Sequence, residues 1–281
     1  RRVLRGLERP DLFTVVFDQV MTDTAQYADV VLPATTFLEG YDVAKAYGPV
    51  SMELVRPVID AAGESRSNAD VFGELCARMG LDEGDQTPGE LDLLVAVLNG
   101  LPGNIGETMG AGGSPVPPFG PAPVQFVDVF PRTSDGKVHL FPTDLEQSTP
   151  AGLYRYQPDP ATSAYPLALI SPATARTISS TLGELPAPEV VLAMHPEDAR
   201  PRGLENGDAV RVFNDLGEVH VTLEVTPTVR PGTVSLPKGL WRRTTRNGQT
   251  ATALVPDTLS DLGGGACFND ARVQVQSLPV A

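Results

Sequence analysis

Met194 to Gly239 reads MHPEDARPRGLENGDAVRVFNDLGEVHVTLEVTPTVRPGTVSLPKG. Short β-branched runs alternate here with turn signals at close, regular spacing. Asn206-Gly207-Asp208 precedes AVRVF, Asn214-Asp215-Leu216-Gly217 precedes EVHVTLEV, and Pro231-Gly232 precedes TVSLP. Strands this short, joined by turns this tight, predict a small closed barrel rather than an open sheet. Side chains fill the inside of such a barrel, so function is expected in the loops at its ends.

The barrel pattern extends from about Tyr165 to the last strand run, VQVQ. Upstream, residues 1–98 alternate strand and helix signals. LFTVVF (12–17) and ADVVL (28–32) have the apolar character of buried strands, and Val50 to Ile59 offers a more exposed extended run. Ser67-Asn68-Ala69-Asp70 opens a helix with Val71, Leu75 and Met79 on one face and Gly80 as its stop. Residues 99–164 read as a connector: Gly100 to Pro123 is irregular and rich in Gly and Pro, and Ser134 to Lys137 predicts a hairpin turn between QFVDVF and VHLFP. The fold expected is an α/β fragment, a partial Rossmann-like domain, followed by a β-barrel domain over 165–281. Two or three strands cannot bury both faces of a sheet, so the α/β part reads as a piece of a larger one.

A formal charge of −14 disfavours nucleic acid and anionic membranes as partners, yet one anionic cofactor remains compatible. Arginines and backbone N–H groups can hold phosphate locally. No run approaches the roughly 18 apolar residues of a membrane span. Cys76 and Cys267 form no C-x-x-C pair, which points away from disulfide, zinc and iron–sulfur sites and toward a reducing, cytoplasmic compartment. The opening RRVLRGLERPDLF has the look of a helix tail leading into a strand. An export signal upstream of it would lie outside this sequence. The glycines make no nucleotide-binding loop, there is no G-x-S-x-G elbow, and His139, His195 and His220 are too scattered for a zinc site.

Four polar stretches could carry chemistry. Thr22, Asp23 and Thr24 follow a strand that ends near Asp18, at the carboxyl edge where α/β sheets bind ligands; Thr22 or Asp23 could equally cap a short helix through Tyr27. Leu167 to Gly183 is a strand emptying into Ser171, Thr174, Arg176, Thr177, Ser179 and Ser180, hydroxyls and a guanidinium that suit an anion or simply a solvated loop. Lys238 to Thr250, KGLWRRTTRNGQT, holds Trp241, the single tryptophan, and the chain's most basic patch, Arg242, Arg243 and Arg246. In Asp257 to Asp270, Asp257 or Asp261 could accept from a guanine, while Asn269 and Asp270 read first as caps for the final strand.

These stretches carry a resemblance to the molybdopterin oxidoreductases, the family of dimethyl sulfoxide reductase and formate dehydrogenase. P-x-D-A-x-x-x-G-L-x-x-G-D-x-V-x-V-x-x-x-x-G runs from Pro196 to Gly217 and resembles the family's molybdopterin dinucleotide-binding domain. D-x-x-x-T-x-T-A-x-x-A-D-V-V-L-P … E matches from Asp18 to Glu39. Lys238 to Thr250 is similar to the G-W … N-x-L-T loop, with Asn247 and Thr250 in place but Gln249 at the apolar position. The resemblance implies a double-psi barrel and a bis(molybdopterin guanine dinucleotide) cofactor, bis-MGD, with Mo or W. It places Thr22, Asp23, Thr24, Ser171, Thr174, Arg176, Ser179, Ser180, Trp241, Asn247, Thr250 and Asp257 beside that cofactor. Arg176 and Ser180 are the foremost of these, whereas Asp29 and Pro33 look structural. It further implies that the metal's protein ligand and any 4Fe-4S cluster lie upstream. The partners would be the rest of the catalytic subunit and an electron-transfer subunit. The fragment alone should catalyse nothing. A stand-alone barrel module and a cofactor-free assembly subunit are the other readings.

Overall fold

Alternate residues of the hairpin from 209 to 225 are sealed from solvent: Val210, Val212, Val219, Val221 and Leu223 are each at most 1% exposed. That period of two is what a strand with one dry face requires. The computed structural model of the chain describes residues 2–45, 52–81, 88–101, 103–116, 120, 122–149, 152–156, 161–174, 179–185, 189–260 and 263–279. The chain divides into two compact units, 10–140 and 141–281, the latter joined by residues 1–9.

The barrel unit contains α1 (Arg2–Leu7), the short helices α5 (Thr143–Ser148) and α6 (Pro196–Ala199), and strands β5 (Leu167–Ile170), β6 (Val191–Met194), β7 (Ala209–Asn214), β8 (Gly217–Val225), β9 (Thr233–Ser235) and β10 (Ala271–Ser277). These six strands close a barrel in the order β10-β5-β9-β6-β8-β7. Two of the contacts, β5 with β9 and β6 with β8, are parallel; the rest are antiparallel. Parallel neighbours cannot be joined by a hairpin, so the chain must cross the barrel, and this creates its long polar loops. Each interior Leu or Val contributes roughly 1.5–3 kcal/mol through burial. Turn side chains fix the register: Asn206 Oδ1 accepts from the Val225 N–H at 2.9 Å, and Asp198 Oδ2 accepts from the Gly232 N–H at 2.7 Å.

The other unit is mixed α/β. Strands β1 (Val15–Asp18) and β2 (Val30–Pro33) are parallel, and β3 (Asp42–Lys45) pairs antiparallel with β4 (Met52–Val55). Helix α2 (Asn68–Met79) begins where the sequence predicts: Ser67 Oγ accepts from the Asp70 N–H at 3.1 Å, and Gly80 closes it at φ +65°. Phe72 meets Phe17 edge-on at 6.2 Å, joining α2 to β1. Val15, Val30 and Val31 remain 38–50% exposed, as a sheet of so few strands dictates.

Two expectations for the connector fail. The glycine-rich stretch contains a helix, α4 (Ile105–Gly110), packed on α3 (Glu90–Asn99), with Met109 1% exposed. Gly106 is there for proximity: a Cβ on it would lie 2.2 Å from the Val95 carbonyl oxygen. The hairpin at 134–137 is a turn only. Asp135 Oδ1 accepts from the Lys137 N–H and bonds the His139 ring, but no ladder joins the flanking runs among the described residues. Local turn chemistry sufficed there without cross-strand burial to extend it.

Candidate functional site

Because β5 and β9 run parallel and β10 runs antiparallel to β5, the carboxyl ends of the first two and the start of the third share one rim. The chain continues in register beyond both strands: Leu236 N–H donates to Ile170 C=O and Lys238 N–H to Pro172 C=O, each at 3.0 Å. Asn269, just before β10, accepts from the Ser171 N–H through Oδ1 at 3.0 Å. This rim therefore gathers the starts of two polar stretches and the end of a third, all far apart in sequence. Ser171 is 9% exposed, and its hydroxyl has no hydrogen-bond partner among the described residues. Leaving a buried hydroxyl unmatched costs about 1–3 kcal/mol, which marks it as a place where a polar ligand atom would be welcome.

Trp241 is buried, and its Nε1–H donates to the Ser180 carbonyl at 2.9 Å. Ser179 and Ser180 are exposed, with Ser179 at φ +53°. Thr174 is half-buried. Arg176 and Thr177 lie outside the described residues. Arg243 stands over the Trp241 ring at 5.2 Å and donates to the Gly183 carbonyl.

Asn247 works along the edge of β8. Its Oδ1 accepts from the His220 N–H and its Nδ2 donates to the Glu218 carbonyl, both at 3.1 Å, while the Arg246 N–H donates to His220 C=O. A primary amide presents the same donor–acceptor pair as a peptide group, so one side chain continues the ladder where β6 has not yet begun to pair. Arg246 also reaches Thr222 at 2.9 Å and Glu189 at 3.3 Å. Thr250 is half-buried, its hydroxyl 2.9 Å from that of Thr252. Asp257 is 76% exposed and pairs with Arg2 at 2.8 Å. Asp261 lies outside the described residues.

In the α/β unit, Thr22 Oγ1 accepts from the Ala25 N–H at 3.2 Å, tying its loop to the first residue of the short turn Ala25–Tyr27, whose N-cap position is Thr24. Asp23 is half-buried beside it and Thr24 exposed. Two acids of the same motif, Asp29 and Glu39, tie distant backbone together. Asp29 accepts from the Thr14 N–H at 2.7 Å, clipping β2 to β1. Glu39 accepts from the N–H groups of Thr36 and Ala62, each at 2.6 Å; the Thr36 bonds foremost, then that to Ala62, hold its carboxyl below the usual range. The histidines do local work: His195 caps α6 by accepting from the Glu197 N–H, and His220 bonds Glu218.

Sequence reasoning passed over three rim residues. Gly183 and Gly239 sit at close approaches that no local signal announces. Asn269, read as a strand cap, reaches across to the first barrel loop instead. Among the described residues no His, Cys, Asp and Glu group could hold a metal, and no helix is long and apolar enough to cross a membrane.

A closed six-stranded barrel with polar loops at one rim defines the structural class. Comparison with known proteins makes the class specific. Residues 1–78 match the molybdopterin oxidoreductase family, and residues 167–272 match the molydopterin dinucleotide binding domain. The chain is 32% identical to the probable oxidoreductase YoaE of Bacillus subtilis over 99% of its own length and 42% of that protein's. It is 28% identical to a dimethyl sulfoxide reductase of Haemophilus influenzae, over 81% of this chain and 33% of the relative. With a dimethyl sulfoxide/trimethylamine N-oxide reductase of Rhodobacter capsulatus it shares 25% identity, over 85% of this chain and 33% of the relative. The fold superposes on acetylene hydratase from Pelobacter acetylenicus with a TM-score of 0.76 at 24% identity, covering 98% of this chain and 41% of that one. Residues 1–78 thus belong to the molybdopterin oxidoreductase family, and residues 167–272, which contain most of the barrel, to its molydopterin dinucleotide binding domain. It spans 33–42% of the length of these curated relatives, none of which is named as a cofactor-free module.

Proposed function

We propose that this chain is the C-terminal portion of a molybdenum or tungsten bis-MGD oxidoreductase, and that its barrel holds the guanine dinucleotide part of that cofactor. The observation that carries this reading is the shared rim of β5, β9 and β10. It lies inside the segment matched to a dinucleotide-binding domain, and the buried Ser171 hydroxyl has no partner there among the described residues. The donor set fits a phosphate-bearing, amide-rich ligand: hydroxyls at Ser171, Thr174, Ser179 and Ser180, and the guanidinium of Arg176. Trp241 holds the Ser180 end of the loop that presents these donors, and Asn247 holds its own turn against β8. Thr250 and Asp257 complete the barrel's contribution, and Thr22, Asp23 and Thr24 that of the α/β unit.

In this reading 165–281 is a double-psi barrel, 1–98 is part of a Rossmann-like domain, and 99–164 connects them. When bound, the metal and pterin supply the redox step, while the protein supplies placement and electrostatics. The metal's protein ligand and any 4Fe-4S cluster come from the rest of the same subunit, electrons pass to a separate subunit, and the assembly works in a reducing compartment. The test is to express the full-length protein and measure molybdenum, tungsten and pterin. The proposal expects stoichiometric pterin in the parent and a large loss in Arg176→Ala. Full pterin content in Arg176→Ala would remove that residue from the site; no pterin in the parent would sink the reading.

A further inference from the structure

Gly183 and Trp241 are fitted to each other. A Cβ built on Gly183 would fall 1.9 Å from Trp241 Nε1, 2.3 Å from Cδ1 and 2.4 Å from Cε2, far inside the 3.5–4 Å separation of touching atoms. Trp241 is 7% exposed, so its indole has little room to step aside. The same seam is tight from the other side: Gly239 has φ +73°, and a Cβ on it would lie 1.9 Å from the Ser179 carbonyl oxygen. Each of two loops thus gives up a side chain where it meets the other. Two hydrogen bonds then hold them together, Trp241 Nε1–H to Ser180 C=O and Arg243 to Gly183 C=O, while the Arg243 guanidinium lies over the indole within the second loop.

We infer that Trp241 is a positioning residue: its indole, seated where Gly183 has no Cβ, latches the 179–183 segment to the 239–243 turn and so holds the first barrel loop in its cofactor-binding shape. This rests on the reading of the rim as the dinucleotide site. A tryptophan that contacted the nucleotide would need an open ring face or a spare N–H. Here the ring is enclosed and the N–H is spent on Ser180. The latch also joins the loops that follow two neighbouring strands of the rim, β5 and β9, so it converts two independent loops into one rigid surface. Rigidity of this kind lowers the ordering cost that binding would otherwise incur.

The test uses the full-length protein and the variants Gly183→Ala, Trp241→Ala and the double variant. Two quantities are read: hydrogen exchange of peptides covering 179–185 in pterin-free protein, and pterin retained after extended dilution. Each single variant is expected to speed local exchange about tenfold or more and to shed pterin. The double variant is expected to be no worse than Trp241→Ala, because the added methyl no longer meets an indole. If Gly183→Ala fails to accumulate, Trp241→Phe, which cannot donate to Ser180, carries the same comparison. Strict additivity, or faster exchange spread through β5–β10 instead of confined to 179–185, would overturn the latch. A loosened loop with undiminished pterin would overturn the positioning role and leave the barrel's identity intact. A parent protein without pterin would sink the cofactor reading itself.

Discussion

Asn269 Oδ1 accepts the backbone N–H of Ser171 at 3.0 Å, across 98 positions of sequence. One side chain thereby ties the entry to β10 to the exit from β5, at the rim where the dinucleotide-binding domain places its polar loops. Asn269→Ala should leave that N–H without an acceptor and cost about 1–3 kcal/mol. Asn269→Asp, which keeps an acceptor oxygen, should cost less than half of that. Urea unfolding monitored in the barrel unit decides it; equal losses in the two variants would show that the bond contributes little.

Asn247 serves β8 as a borrowed peptide group. Removing it in Asn247→Ala frees the His220 N–H and the Glu218 carbonyl together, for a loss of about 1–3 kcal/mol. Amide exchange at His220 and Arg246 should accelerate while exchange in β7 stays slow. Asn247→Asp should protect His220 but not restore the bond to Glu218. Unchanged exchange at His220 in Asn247→Ala would remove the residue from this role.

The barrel interior should behave as a close-packed core. Leu169 is 0% exposed, at the meeting of β5, β9 and β10. Leu169→Ala is expected to destabilise the unit by about 2–5 kcal/mol, the sum of lost transfer energy and a residual cavity. A denaturant midpoint within error of the parent would contradict the packing described.

Glu39 gives a pH dependence of known sign. Its carboxyl is held below the usual range in the folded chain by the N–H groups of Thr36 and Ala62. A depressed folded value means the stabilisation is present above the unfolded value, about pH 4, and fades as pH falls through the folded one. The parent should therefore lose stability relative to Glu39→Gln on acidification below about pH 4, and exceed it at neutral pH. A gap between the two that stays constant from neutral to strongly acid pH would rule the carboxylate out.

Much of this was written locally. The strand runs and Asn-Gly-Asp or Pro-Gly turns between 206 and 235 gave the barrel its hairpin and its dry face, because period-two burial and turn chemistry act over a few residues. Ser67 and Gly80 bounded α2 for the same reason. Where packing rather than propensity decided, local reading failed. The helix at 105–110 forms in a glycine-rich stretch because Gly106 permits α3 to come within contact. The turn at 134–137 makes no hairpin because nothing buries its flanks.

The sequence by itself determined that the strand runs between 167 and 277 close into a barrel and that its polar loops hold hydroxyls, an amide and arginines, since composition and periodicity fix which segments must be dry and which wet. Only the tertiary structure decided which of those groups are spent on holding backbone and which are left unbonded. Asn247 and Trp241 spend their polar atoms on backbone, Asn269 reaches Ser171, and Gly183 makes room for an indole. Such pairings depend on strand order around the barrel, and long-range contacts of that kind leave no mark on the residues beside them in the chain.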